Sequence, residues 1–250
     1  MVIVTGGARG IGAAITRTFV AESAIVCIFG RNAEDAAQLV SDLEDAGPRA
    51  ASFACELTDS ATILTAVQAV RDRFGRIDVV VNNAGVNDGV GLASSEAEFR
   101  ASLDRNLIHP FVLVQACLPE LIKIRGNIGT KCAVTGQGNA SGYAAAKGGL
   151  NALTREWALD LVAHGIRVNA VIPTEVMTPL YERWRAKRPD PAAALAQIEH
   201  SIPFEGRLTR ATEIADTVAF TASPRASHTT GQILCVYGGY VYFDRAATPR

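Results

Sequence analysis

Along the chain, short runs rich in Val and Ile alternate with longer stretches whose apolar residues recur every three or four positions. That alternation is the signature of strands joined by crossover helices in a parallel sheet. It predicts strands over residues 2–5, 25–29, 50–54, 77–81, 166–172 and 233–236. Helices are predicted over 11–21, 33–46, 60–74, 96–118, 141–163 and 211–222. Gly47-Pro48 cannot continue the second helix, and Asp59 is placed to cap the third. The largely apolar run 77–81 reads as a strand buried on both faces. Residues 173–203, rich in Pro and Arg, are expected to form a mobile excursion over a site, of the kind that carries substrate contacts. No repeat, low-complexity tract or linker interrupts the pattern. Residues 1–250 therefore read as one α/β domain with helices on both faces of a doubly wound parallel sheet of about seven strands.

Composition narrows this picture. With 250 residues, 48% of them hydrophobic, the chain can bury one large core without a second domain. A formal net charge of -1 and the lack of any Lys/Arg cluster argue against a nucleic-acid partner. Cys27, Cys55, Cys117, Cys132 and Cys235 are odd in number and widely spaced, without metal-binding or redox spacing, so reduced thiols in a cytoplasmic protein are expected. Met1 runs into Val2-Ile3-Val4 with no basic segment or cleavage site, and no apolar stretch is expected to reach the roughly 20 residues of a membrane span. Neither export nor membrane insertion is predicted.

Candidate chemistry begins at Thr5-Gly6-Gly7-Ala8-Arg9-Gly10-Ile11-Gly12, between the first strand and the first helix. Glycines there permit a tight turn and let a pyrophosphate approach the N–H groups at the helix N-terminus. At the end of the second strand an acid would receive a ribose 2′-hydroxyl, but Phe29-Gly30-Arg31 offers a guanidinium, and Arg9 a second one. That favours the 2′-phosphate of NADP, with NAD usable if both arginines are merely solvated. Farther on, Tyr143-Ala144-Ala145-Ala146-Lys147 sets a phenol and an ammonium on one helix face at i, i+4. An ammonium and an oxidised nicotinamide nearby would stabilise the phenolate and make it a working proton carrier.

Together with Asn82-Asn83-Ala84-Gly85, these motifs resemble those of the short-chain dehydrogenase/reductase family, and the resemblance runs over essentially the whole chain. It implies a Rossmann fold, a nicotinamide cofactor and a homodimer or homotetramer assembled through the long helices. It also implies that Gly6, Gly10, Ile11 and Gly12 cradle the pyrophosphate, that Glu56 and Leu57 (Asp-Val in the family) flank the adenine, and that Asn83, Ala84 and Gly85 line the ribose. Asn106 matches the catalytic asparagine that holds a proton-relay water. Thr130, thirteen residues before Tyr143, stands for the serine that bonds the reacting oxygen.

Several positions depart from the pattern. Gly126-Asn127-Ile128-Gly129 supplies one apolar residue where several are usual and looks about three residues short, which would displace Thr130 or leave it unable to polarise a carbonyl; Thr130 is kept as the candidate hydroxyl donor. Pro173-Thr174 replaces Pro-Gly, while Val176 and Thr178 remain at the carboxamide positions. Tyr237-Gly238-Gly239 replaces Asp-Gly-Gly near the last strand, with altered packing expected at a subunit interface.

Within the family, Val134-Thr135-Gly136-Gln137-Gly138-Asn139 and Glu175-Val176-Met177-Thr178-Pro179-Leu180-Tyr181 resemble sugar dehydrogenases of the L-fucose type. Lys131, Gln137, Asn139 and Glu175 would then form a polar pocket for several hydroxyls of a small-molecule substrate. A carbonyl or 3-oxoacyl reductase using NADPH is the alternative. A non-catalytic cofactor sensor or scaffold on the same fold is the alternative of another class.

Overall fold

The computed structural model describes residues 1–44, 47, 49–131 and 138–240. Seven parallel strands form one sheet in the order β3-β2-β1-β4-β5-β6-β7. They are β1 (Val2–Thr5), β2 (Val26–Gly30), β3 (Ala50–Ala54), β4 (Val79–Asn82), β5 (Asn127–Lys131), β6 (Arg167–Pro173) and β7 (Ile233–Val236). The order reverses direction between β1 and β4, which opens a crevice at their carboxyl ends where a dinucleotide can lie.

Side-chain alternation along the strands sorts the core onto two faces. Val2, Val4, Val26, Ile28, Val79 and Val81 point to one, where they meet helices α1 (Gly10–Ala21), α2 (Ala33–Asp42) and α9 (Ala211–Ala222). Ile3, Cys27, Phe29 and Val80 point to the other, against α3 (Ser60–Phe74), α5 (His109–Ile124) and α6 (Ser141–Asp160). Both faces are buried, as the run before Asn82 predicts.

The excursion over 173–203 is not a plain loop. It carries α7 (Pro179–Arg185) and α8 (Pro191–His200), the latter capped by Asp190. The predicted helix 96–118 is likewise more elaborate: α4 (Glu96–Leu103) passes through a π-helical turn, Asp104–Ile108, into α5. α5 continues through Pro119, because Leu113, Val114, Cys117 and Leu121 keep one face of it in the core; it stops at Arg125, which has a left-handed φ of 54°. Contrary to the sequence expectation, this Glu96–Ile124 stretch of 29 residues is long and apolar enough, by length and composition, to cross a membrane. Its core-facing half packs against the sheet.

β5 corrects a second expectation. Poor as it is in apolar residues, Asn127–Lys131 is paired on both sides, with Val79 to Asn82 of β4 and with Arg167 to Val171 of β6. Ile128 alone supplies the buried apolar side chain. The neighbouring strands, rather than the segment's own hydrophobicity, hold it in register. Gly129 leaves a void too small for a water molecule between β5 and α9.

Candidate active site

The ends of β1 and β4 build the floor of the crevice. The Thr5 hydroxyl accepts from the backbone N–H groups of Asn83 and Ala84, both at 3.0 Å, and donates to the Val81 carbonyl at 3.3 Å. One buried hydroxyl therefore lashes β1 to the end of β4. Removing it would strand two buried N–H groups, at about 1–3 kcal/mol each. Asn83 Nδ2 adds bonds to the carbonyls of Thr5 (2.9 Å) and Gly6 (3.3 Å), while its buried Oδ1 has no partner.

The turn between β1 and α1 needs glycine for two separate reasons. Gly6 and Gly10 have φ of 61° and 52°, a region that costs other residues steric strain. A Cβ on Gly12 would collide with the Gly6 carbonyl and come within 2.6 Å of Asn83 Nδ2. Beyond the turn, α1 begins at Gly10 with no side chain capping its first N–H groups. Free N–H groups and the positive end of the helix dipole suit a diphosphate. The glycine cradle, the uncapped helix and the orphaned Asn83 oxygen all fit the implied dinucleotide.

The crevice over this floor holds about 480 Å³. Gly30, Arg31 and Cys55 to Thr58 form one arm of it, while Thr178 and Pro179 close over Gly10 at the other. Arg9 and Arg31 both reach it, but each is paired: Arg9 Nη2 donates to Asp35 Oδ1 at 2.6 Å, and Arg31 Nη1 lies 3.3 Å from Glu56 Oε2. Arg31 is 79% exposed and its pairing is loose, so it remains able to turn onto a phosphate. The backbone N–H of Thr58 holds the Glu56 carboxyl below the usual carboxylate range.

Two of the proposed chemical groups, Lys147 and Asn106, meet at Gly85. Lys147, 1% exposed on α6, sets its Nζ 5.5 Å from the centre of the Tyr143 ring. A Cβ on Gly85 would lie 3.2 Å from that Nζ and 2.9 Å from Asn106 Oδ1. Only a glycine passes between them without displacing one.

The Asn106 side chain is held by three hydrogen bonds. Its Oδ1 accepts from Val86 N–H at 2.7 Å, and its Nδ2 donates to the carbonyls of Val86 (3.0 Å) and Ser102 (2.9 Å). With both amide protons committed, the side chain anchors the segment after Gly85. The π-helical turn containing Asn106 interrupts the regular helical ladder.

Thr130 lies near the carboxyl end of β5. It pairs in register with Asn82 and with Ala170, is 4% exposed, and its Oγ1 has no partner. An unpaired buried hydroxyl at the end of a central strand suits a substrate oxygen.

The expected polar pocket is less uniform. Lys131 ends β5 opposite Val171, with its side chain outside the described residues, as is Gln137 altogether. Asn139 is exposed, has a φ of 48°, and lays its Oδ1 against Gly91, so it braces a neighbouring loop. Glu175 is half-buried, which pushes its carboxyl upward, and its carbonyl accepts from Thr209 N–H at 3.1 Å. Burial, then the Glu175 charge, pushes the Tyr181 phenol up to about 12. Pro173 ends β6 beside Val236, Val176 is buried in a bridge to Thr209, and Thr178 packs on Gly10. Tyr237 is buried among Leu150, Ala170 and Ile172.

Sequence reasoning missed His109, Arg105 and Arg183, which also line the crevice. For His109 a signal existed: it lies one helical turn beyond Asn106.

Comparison with known proteins gives a consistent pattern. Residues 6–241 match the family model described as enoyl-(acyl carrier protein) reductase. The chain is 37% identical over 244 residues to an L-fucose dehydrogenase of Bos taurus, covering 96% of this chain and 88% of that protein. It is 36% identical over 243 residues to a 3-oxoacyl-[acyl-carrier-protein] reductase of Escherichia coli, covering 95% of each. Among solved structures, Cj0485 dehydrogenase superposes with a TM-score of 0.95 at 39% identity, over 100% of this chain and 96% of that one. A variant actinorhodin polyketide ketoreductase with NADPH gives 0.90 at 30% identity, over 97% of each.

Proposed function

This chain belongs to the short-chain dehydrogenase/reductase superfamily, and on that premise we propose that it is an NADP-dependent dehydrogenase of a small polyhydroxylated alcohol, a sugar above all. Its class is plain: an NAD(P)-dependent oxidoreductase acting on CH–OH groups. The observation that supports hydride-transfer chemistry is the meeting of Lys147 and Asn106 at Gly85, with the Tyr143 ring 5.5 Å from the Lys147 ammonium, beside a crevice fit for a dinucleotide.

In the proposed reaction the Tyr143 phenolate takes the proton of the substrate hydroxyl. Lys147, buried next to it, stabilises that phenolate and holds the ribose. Thr130 Oγ1 donates to the reacting oxygen, which fills its empty hydrogen-bonding capacity. The Asn106 turn supplies the acceptor for a water that restores the proton. When bound, an oxidised nicotinamide accepts the hydride from the same carbon. For a sugar oxidised at its anomeric carbon the product is a lactone. Glu175, its carboxyl pushed upward by burial, can accept from a substrate hydroxyl.

NADP rests on Arg31 and Arg9 at the β2 end of the crevice. Arg31→Asp should lower the preference for NADP over NAD by about tenfold or more, the loss of one charge-assisted pair. An unchanged ratio of the two kcat/KM values contradicts that assignment. Purified protein assayed against a panel of aldoses and an acyl ketone, with both cofactors, tests the substrate. Turnover of the ketone alone supports the second reading, a carbonyl reductase, which the 3-oxoacyl reductase likeness favours. The presence of Tyr143, Lys147 and the Thr130 hydroxyl speaks against a scaffold without catalysis.

Ile108, Phe111, Leu159 and Val162 leave an exposed apolar face on the long helices α5 and α6 and the turns beside them. We assign this face to a homodimer or homotetramer contact in a cytoplasmic protein.

A further inference from the structure

The two guanidinium groups at the β2 end of the crevice are held in different ways. Arg31 meets Glu56 through one nitrogen, Nη1 to Oε2 at 3.3 Å, on a side chain that is 79% exposed. Arg9 is gripped along its side: Nη2 donates to Asp35 Oδ1 at 2.6 Å, and Nε faces Asp35 Oδ2. Two nitrogens of a planar group against two oxygens of one carboxylate form the fork geometry of the stronger ion pairs. Arg31 can swing onto a ligand, whereas Arg9 must first be pulled from its partner.

Asp35 is itself fixed in place. It sits in the first turn of α2, where the helix dipole favours a negative charge, and its backbone N–H donates to Asn32 Oδ1 at 3.2 Å. The Asp35 carboxylate does not line the crevice, so it reaches a bound cofactor only through Arg9. A phosphate on the ribose 2′-oxygen would need the nitrogens that Asp35 already holds, and would bring its own negative charge toward that carboxylate. We propose that Asp35 is a positioning residue that withholds Arg9 from the 2′-phosphate, so that Arg31 carries most of the NADP preference and NAD stays usable. The inference rests on the cofactor reading above. Because Arg9 precedes α1 and Asp35 lies on α2, the pair also ties the two helices together. That role alone would show in stability and not in the choice of dinucleotide.

Fluorescence titration of the full chain with NADPH and with NADH gives two Kd values without turnover, and their ratio is the readout. Asp35→Asn keeps the shape, removes the charge and should move the ratio about tenfold toward NADPH, as one charge-assisted pair passes from the protein to the ligand. Asp35→Ser, which also suits a first helical turn, should do the same, so that one poorly folding variant does not remove the test. Adding Arg9→Gln to Asp35→Asn should cancel the gain, because the freed guanidinium is then gone. A ratio unchanged or moved toward NADH in a folded Asp35 variant, whatever its melting temperature, overturns this inference and leaves the cofactor reading standing. A gain that survives without Arg9 does the same. Failure of the wild type to bind either dinucleotide overturns both.

Discussion

The two arms of the crevice are built from different materials. The diphosphate end is made of backbone: left-handed glycines, an uncapped helix and carbonyls lashed together by Thr5 and Asn83. The substrate end is made of side chains on the connections that follow β5 and β6, and its predicted members are scattered. Glu175 is half-buried near Tyr181, whereas Asn139 braces Gly91. A backbone site tolerates almost no change in the atoms beside it, while a side-chain site can be rebuilt by exchanging one group for another. The chain is about equally similar to an L-fucose dehydrogenase and to a 3-oxoacyl-[acyl-carrier-protein] reductase.

Breaking the backbone arm should have the larger effect. Gly12→Ala places a methyl group into the Gly6 carbonyl, which cannot move without opening the turn. Titration should show dinucleotide affinity reduced about 100-fold, the upper range for an overpacked site. A loss below threefold would mean that the turn is not the diphosphate cradle.

Thr130 comes next, at the boundary between the arms. Thr130→Val keeps the shape and removes the hydroxyl, and kcat should fall by about 10²–10³, as when an oxyanion donor is lost. Thr130→Ser should stay within about fivefold of wild type. Equal losses in both variants would assign the residue to packing rather than to the reacting oxygen.

The smallest effect lies under β5. A Cβ on Gly129 would meet nothing closer than the Val80 carbonyl at 3.9 Å, and the void beside α9 receives it. Gly129→Ala should raise stability by about 0.5–1 kcal/mol in urea denaturation, through the lost flexibility of the unfolded chain. Destabilisation would show that the strand depends on the missing side chain.

The same contrast explains what could be read from the residues alone. The glycine turn and Tyr143-Ala144-Ala145-Ala146-Lys147 are local patterns whose geometry follows from spacing, and both stand where the alternation of strands and helices puts them. β5 was harder to read, because five residues with one buried apolar side chain are held by two neighbouring strands distant in sequence. The pairings of Arg9 with Asp35 and of Arg31 with Glu56 bring together residues about 25 positions apart, across elements whose relative placement spacing does not give. Asn106 was found as a polar residue in an apolar helix, but its work on Val86 depends on a π-helical turn with no sequence mark of its own. His109 belongs to no motif; its spacing of one helical turn from Asn106 was the signal available, and its place at the crevice comes from the structure.

The central claim is that Tyr143 moves the proton while the backbone arm binds cofactor independently. Tyr143→Phe, assayed for NADP reduction with the best aldose of the panel and titrated with NADPH, tests it most directly. The account predicts kcat lower by at least about 10³-fold, with Kd for NADPH within about threefold of wild type. Turnover at the wild-type rate in that variant would contradict it.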